Sequence, residues 1–305
     1  MRAVIVDVHT HVFPPRMIAA RAELAADPGF AAIYADPAAR MATATELLAS
    51  MAETGVDVAV AAGFAWRSAA HAEEHASYIL DAAQHADGRL LAFPPLAALH
   101  GPSSPTEGEL RVRLQGLAAA GARGLGELRF DAAASPPSDE AAAERTLPLL
   151  DAARAAGLAL LAHCTEPVGH GYAGKGGGLT PGALWRLLAS EPAGGAAREH
   201  EHERAAPLLA AHWGGGLALY AAMPEVRALF EAGALAVDTA ATRYLYDPRI
   251  VEAALALDVG GAVLWGSDFP LRSQVEDRRE LESATADPEA RAAILGGNAA
   301  RLLGL

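Results

Sequence analysis

Along the chain, short apolar runs that suit β-strands alternate with longer stretches of helical periodicity, and the first run sets the theme. Residues Val4 to His11, Val-Ile-Val-Asp-Val-His-Thr-His, predict a buried β-strand. Strand side chains alternate with period two, so Asp7, His9 and His11 are expected on one face, where a buried strand would otherwise show only apolar groups. The segment 12–45 is broken by Phe13-Pro14-Pro15, Asp27-Pro28-Gly29 and Asp36-Pro37 into short helices and turns, and it reads as a lid-like insertion. A regular cycle then begins. Helix 46–55 leads to strand 56–63, helix 73–86 to strand 89–93, helix 107–120 to strand 122–130, and helix 140–156 to strand 158–163. After a Gly-rich loop, helix 181–189 leads to strand 207–212, helix 224–232 to strand 235–239, and helix 248–257 to strand 262–267. A helical segment, 289–303, closes the chain.

Eight apolar strands, each followed by a helical pattern, match a parallel (β/α)8 barrel of the α/β class better than an open doubly wound sheet. The whole chain, 1–305, is read as a single domain carrying the insertion after its first strand. No Gly-x-Gly-x-x-Gly turn follows strand one, which removes the main support for a dinucleotide fold. The glycine clusters at 176–178 and 214–216 lack the Lys-Ser/Thr ending of a phosphate loop and read as rim loops.

Composition narrows the partners. With 305 residues and 52% hydrophobic content the chain can bury a large core, and no apolar run is long enough to span a bilayer. Its formal net charge of -13 argues against nucleic acid and anionic membranes, leaving a small-molecule substrate as the default. The single cysteine, Cys164, excludes an intrachain disulfide and is read as a core residue turned away from His163. The N-terminus enters a strand without a cleavage site, so a cytoplasmic protein is expected.

Candidate chemistry gathers at the strand ends. His9 and His11 end strand one, Glu127 lies in strand four, His163 ends strand five, His212 ends strand six and Asp268 ends strand eight. The C-terminal ends of barrel strands converge on one mouth, so these residues are expected to meet in space. An isolated His-x-His pair has an ordinary hydrogen-bonded reading. Several metal-competent side chains at one register instead supply the three-ligand pattern of a catalytic metal site, with Asp7 orienting a ligand from behind.

These residues sit in motifs that resemble a known family. Asp-Val-His-Thr-His at 7–11, Leu-Ala-His at 161–163, Ala-His-Trp-Gly-Gly-Gly at 211–216, Trp-Gly-Ser-Asp-Phe-Pro at 265–270 and the final Gly-Asn-Ala-Ala-Arg-Leu-Leu-Gly-Leu are similar to the amidohydrolase superfamily. The branch they resemble contains the aminocarboxymuconate-semialdehyde decarboxylase-like metal-dependent hydrolases and decarboxylases. The resemblance implies that His9, His11, His163 and Asp268 ligate a divalent metal, with His212 as the acid/base or carbonyl-polarising histidine. Zinc is the expected ion, with manganese or iron as alternatives, and a homodimer is the implied assembly. Gly-Leu-Gly-Glu-Leu-Arg in strand four resembles members in which a glutamate bridges two metals, so Glu127 is expected either to reach the metal or to pair with Arg129. The preferred activity is hydrolysis of an amide, lactone or thioester by metal-activated water, with Asp268 as base. Non-oxidative decarboxylation of an aryl or muconate-type acid is the alternative, and a non-catalytic metal-binding or ligand-binding barrel is the third reading.

Other polar residues divide into two groups. His170, Tyr172 and Lys175 follow strand five and could contact substrate from the rim. Arg129 could clamp a carboxylate, and Trp213 could wall the pocket or simply pack. By contrast His71 and His75 lack the His-Glu-x-x-His order and lie in a polar helix, so they are not read as a zinc site. The pair His200 and His202 lies in a charged helical stretch, and His85 and His100 have no partner in view.

Overall fold

A computed structural model describes residues 3–97, 105–129, 138–189, 206–233 and 235–305. His100, His200, His202 and the end of the expected fourth strand at Phe130 lie outside them. Eight parallel strands run in sequence order: β1 (Val6–His11), β2 (Val58–Ala62), β3 (Leu90–Phe93), β4 (Gly124–Leu128), β5 (Ala159–Ala162), β6 (Leu208–Ala210), β7 (Leu235–Asp238) and β8 (Val263–Leu264). Ladders join β1 to β3 and β4 to β8. Backbone bonds outside these ladders close the two seams, among them Arg123 N–H to Ala92 O at 2.9 Å and Val8 N–H to Trp265 O at 2.9 Å. The expected (β/α)8 barrel is therefore present.

Strand alternation divides the core. Val6, Val60, Ala62, Leu91, Phe93, Leu161, Leu209, Ala236 and Leu264 fill the barrel, and Ala299 and Leu303 of the last helix join the same cluster. Their neighbours Ala59, Ala61, Leu160, Leu208 and Val237 instead face the helices.

Two bulges break this alternation at the site. In β1, Asp7 pairs with Ala59 but Thr10 pairs with Ala61, so β1 carries one extra residue. The bulge keeps His9 and His11 at the mouth while Asp7 falls in the outer layer. The expectation that all three share a face is corrected accordingly. In β4, Leu125 pairs with Leu160 and Leu128 with Ala162. Both leucines face outward, and the extra residue turns Gly126 and Glu127 inward together. A side chain at Gly126 would meet Leu161 O at 2.4 Å, and its φ of 135° is one that glycine adopts freely.

Strand six ends earlier than its apolar run suggests. His212 and Trp213 have φ of 55° and 60°, a left-handed turn rather than a continued strand. Strand eight is also short, since Asp268 turns at φ 58° while its N–H still bonds His9 O at 2.9 Å.

The insertion contains α1 (Pro15–Ala19), α2 (Arg21–Leu24) and α3 (Pro28–Tyr34). Phe13, Met17, Leu24, Phe30 and Tyr34 pack with Phe64 and Trp66, which follow β2. Asp27 caps α3 through Gly29 N–H, and its other oxygen accepts from Arg67 N–H at 3.0 Å and Ser68 N–H at 2.9 Å, tying the insertion to the rim. Helix α4 (Ala44–Thr54) follows, then α5 (Ala69–Gln84).

Candidate metal centre

Four buried imidazoles surround Glu127 and Asp268 at the C-terminal mouth, and each has one ring nitrogen fixed from outside. His9 Nδ1 lies 2.8 Å from Asp238 Oδ2, His11 Nδ1 3.2 Å from Gly63 O, His212 Nδ1 3.2 Å from Ala240 O, and His163 Nε2 3.1 Å from Gly174 O. A carboxylate or carbonyl oxygen only accepts, so each outer nitrogen must carry the proton and donate it. In a neutral ring the inner nitrogen is then a bare lone pair. For His9, His11 and His212 that lone pair is on Nε2, whereas His163 faces an acceptor on both sides, Gly174 O at Nε2 and Glu127 Oε1 at Nδ1.

The inner atoms crowd together. The Nε2 atoms of His9 and His11 are 3.2 Å apart, and His163 Nδ1 is 2.7 Å from Glu127 Oε1. His212 Nε2 is 3.3 Å from the same oxygen. Glu127 Oε2 and Asp268 Oδ1 each stand 3.6 Å from His11 Nε2. Acceptors at such distances repel unless a proton or a cation lies between them. Two nitrogens 3.2 Å apart suit one ion with ligand distances of about 2.1 Å. Two groups among the described residues have ligand atoms within 4.8 Å of one another, His9 with His11 and Asp268, and His9 with Glu127 and His212. The donor set fits a divalent ion. His163 belongs to neither group and reaches the cluster through Glu127.

Without a cation, protons take its place. Burial lowers the His9 pKa, but the charges of Asp238 and then Glu127 outweigh it and raise the ring to about 10. Burial likewise opposes protonation of His212, and Glu127 overcomes it, raising that ring to about 9. Burial disfavours the Glu127 carboxylate, yet His163 and His9 hold it well below the usual range.

Several supporting residues differ from the sequence reading. Asp238, at the end of β7, is the missed one: it accepts from His9 Nδ1, from His212 N–H at 2.8 Å and from Ala240 N–H at 3.0 Å. A charged residue ending a seventh apolar strand was the available signal. Asp7 orients no imidazole. Its carboxylate accepts from Ser267 N–H at 3.0 Å, Ser267 O–H at 2.6 Å and Gln274 Nε2 at 2.7 Å, and so anchors the turn that presents Asp268. Glu127 has its close partners among the histidines, while Arg129 Nη2 donates to Gly174 O at 2.6 Å and to Gly176 O.

The rim residues are mostly engaged elsewhere. Lys175 Nζ donates to Val168 O and His170 O, each at 2.8 Å, so it pins its own loop. Tyr172 O–H donates to Glu166 at 2.9 Å, and His170 is exposed with its ring 5.8 Å from that of Tyr172. Trp213 is fully buried and donates to Thr242 at 2.8 Å, which makes it a packing residue rather than a pocket wall. Cys164 is a buried free thiol in the outer layer. His75 lies in a largely polar helix yet faces inward. It is fully buried, accepts from Trp66 Nε1 at 3.0 Å and donates from Nε2 to Val12 O at 2.6 Å.

The amidohydrolase family model matches residues 6–305. No curated protein matches the chain. Among solved structures, 5-carboxyvanillate decarboxylase from Sphingomonas paucimobilis is 16% identical with a TM-score of 0.72, over 100% of both chains. A dihydroxybenzoic acid decarboxylase from Polaromonas sp. JS666, with bound manganese and the inhibitor 2-nitroresorcinol, is 14% identical with a TM-score of 0.69, over 100% of this chain and 98% of that one. A putative 2-pyrone-4,6-dicarboxylic acid hydrolase from Pseudomonas putida is 16% identical with a TM-score of 0.62, over 100% and 98%. At these identities the likeness establishes the fold. No described helix is long and apolar enough to cross a membrane.

Proposed function

The chain belongs to the amidohydrolase family, and from that premise we propose that it is a metal-dependent hydrolase acting on a carbonyl of a small-molecule substrate. The observation that carries this reading is Glu127, an ionised buried carboxylate facing four imidazoles that are each held from outside by an acceptor. His9, His11, His163 and Asp268 would hold the ion, with Glu127 adding the charge that admits a second. A bound divalent ion supplies Lewis acidity toward a carbonyl oxygen and lowers the pKa of water. Asp268 has the most open side chain of the cluster, 12% exposed against 0 to 7% for the others, and acts as the base that takes the proton from attacking water. His212, held by Asp238 and Ala240, presents Nε2 to the mouth; with the pKa of the ring raised to about 9 by Glu127 against the effect of burial, Nε2 also carries a proton and donates it in a hydrogen bond to the carbonyl oxygen as negative charge develops there.

Decarboxylation is the second reading. It is favoured by Arg129, whose buried Nε and Nη1 have no partner among the described residues and would suit a carboxylate, and by fold likeness to aryl-acid decarboxylases. One assay set decides. Metal-loaded protein is tested for hydrolysis of lactones, amides and thioesters, and for carbon dioxide release from 5-carboxyvanillate and 2,6-dihydroxybenzoate. Metal content is measured in parallel for wild type and Glu127→Gln. Hydrolysis, with more than one ion per chain falling to about one in the variant, supports the proposal. Carbon dioxide release with a single ion in both proteins replaces it with the decarboxylase.

A further inference from the structure

The insertion brings a second unpartnered donor to the mouth. Tyr34, the last residue of α3, is 6% exposed, with its ring edge-on to Phe13 at 5.0 Å and to Phe64 at 5.3 Å. Phe13 lies two residues beyond His11, and Phe64 directly follows Gly63, whose carbonyl holds His11. The ring is therefore fixed beside the histidine cluster. Buried tyrosine hydroxyls normally find a partner, yet that of Tyr34 has none among the described residues. The charged groups that act on its oxygen are Asp268, Glu127, Arg129 and Arg21.

Arg129, directly after β4, shows the same deficit. Its Nη2 holds the loop carbonyls, but Nε and Nη1 are buried without partners. Arg129 and the insertion come together at Gly174: a Cβ built there would lie 3.3 Å from Arg129 Nη1 and 3.3 Å from Ile33, the residue before Tyr34. A carbonyl or imidazole of the protein could have satisfied these donors, as it does throughout the neighbouring cluster. Instead none of them has a protein partner among the described residues.

We propose that Tyr34 and Arg129 form one anion subsite beside the histidine cluster, in which the phenol O–H and the free guanidinium N–H groups take a carboxylate of the substrate. This rests on the reading of the mouth as the substrate site, and it makes the insertion a specificity element. A hydrolysed carbonyl and a retained carboxylate would then belong to the same molecule. Tyr34→Phe removes one oxygen and keeps the ring packing, so it isolates the contact.

Benzoate and neutral benzamide, titrated calorimetrically into manganese-loaded protein, test the subsite. Wild type should bind benzoate at least tenfold more tightly than benzamide. Tyr34→Phe should weaken benzoate roughly threefold to tenfold, as loss of one hydrogen bond to a charged group does, with benzamide and manganese content unchanged. Arg129→Gln should weaken it by about tenfold or more, and Arg129→Lys by less. Equal affinity for the two probes, or benzoate binding indifferent to Tyr34→Phe, overturns the proposal. Titration of metal-free protein separates the two readings. Benzoate binding there that still depends on Tyr34 and Arg129 supports the subsite even if the metal reading fails. Wild type that binds manganese but not benzoate overturns the subsite alone.

Discussion

Among the described residues, two regions bury histidine, and they satisfy it differently. In the aromatic cluster of the insertion, His75 has both nitrogens engaged by the protein, Trp66 Nε1 on one side and Val12 O on the other. At the barrel mouth His9, His11, His163 and His212 each have the outer nitrogen engaged by an acceptor, while the inner ones face each other and Glu127. Burial alone does not separate the two cases, because His9 and His75 are both fully buried. The difference lies in the second partner. A ring with a protein donor and a protein acceptor is finished, whereas a ring with only an acceptor directs a lone pair that a cation can use.

The largest effect should come from removing one inner nitrogen. His11→Ala should lose the ion and lower activity on the order of 10³-fold or more, read by metal analysis and turnover, while His75→Gln should keep its metal. Full metal content in His11→Ala would break the comparison.

Next in size is the acceptor behind the cluster. Asp238→Asn replaces one carboxylate oxygen of the acceptor set with an NH2 group and should weaken metal binding by about 10- to 100-fold without unfolding the barrel, as measured by chelator competition. His75→Phe should do the reverse. It leaves Trp66 Nε1 and Val12 O unpaired and should cost about 1 to 3 kcal/mol of stability in denaturant melts, with metal affinity unchanged.

The smallest effect concerns pH. Burial lowers the His75 pKa from 6.5 to about 4, with the hydrogen bond to Val12 O opposing the shift. The unfolded chain therefore takes up this proton first as pH falls. The stability that neutral His75 contributes is complete above 6.5 and is lost between 6.5 and about 4. The gap in stability between wild type and His75→Phe should narrow across that window, and a gap that stays constant would mean His75 does not titrate on unfolding.

The sequence by itself determined the barrel, because eight apolar runs separated by helical periodicity have few other ways to bury both faces of each strand. It also determined that His9, His11, Glu127, His163, His212 and Asp268 would meet, since parallel strands bring their C-terminal ends to one mouth. Tertiary structure decided how they meet. The bulge in β1 sent Asp7 to Ser267 and Gln274, because one extra residue changes the phase of every side chain on one side of it relative to the other. The partners that fix each tautomer are Asp238 and the carbonyls of Gly63, Gly174 and Ala240. Three of these four are backbone oxygens, which every residue type carries and no side-chain pattern announces. The insertion is the clearest case. Its prolines told where helices break, but only the packing of Tyr34 between Phe13 and Phe64 brought its hydroxyl beside the charges of Glu127 and Asp268, since that position depends on contacts between segments with no shared period in the sequence.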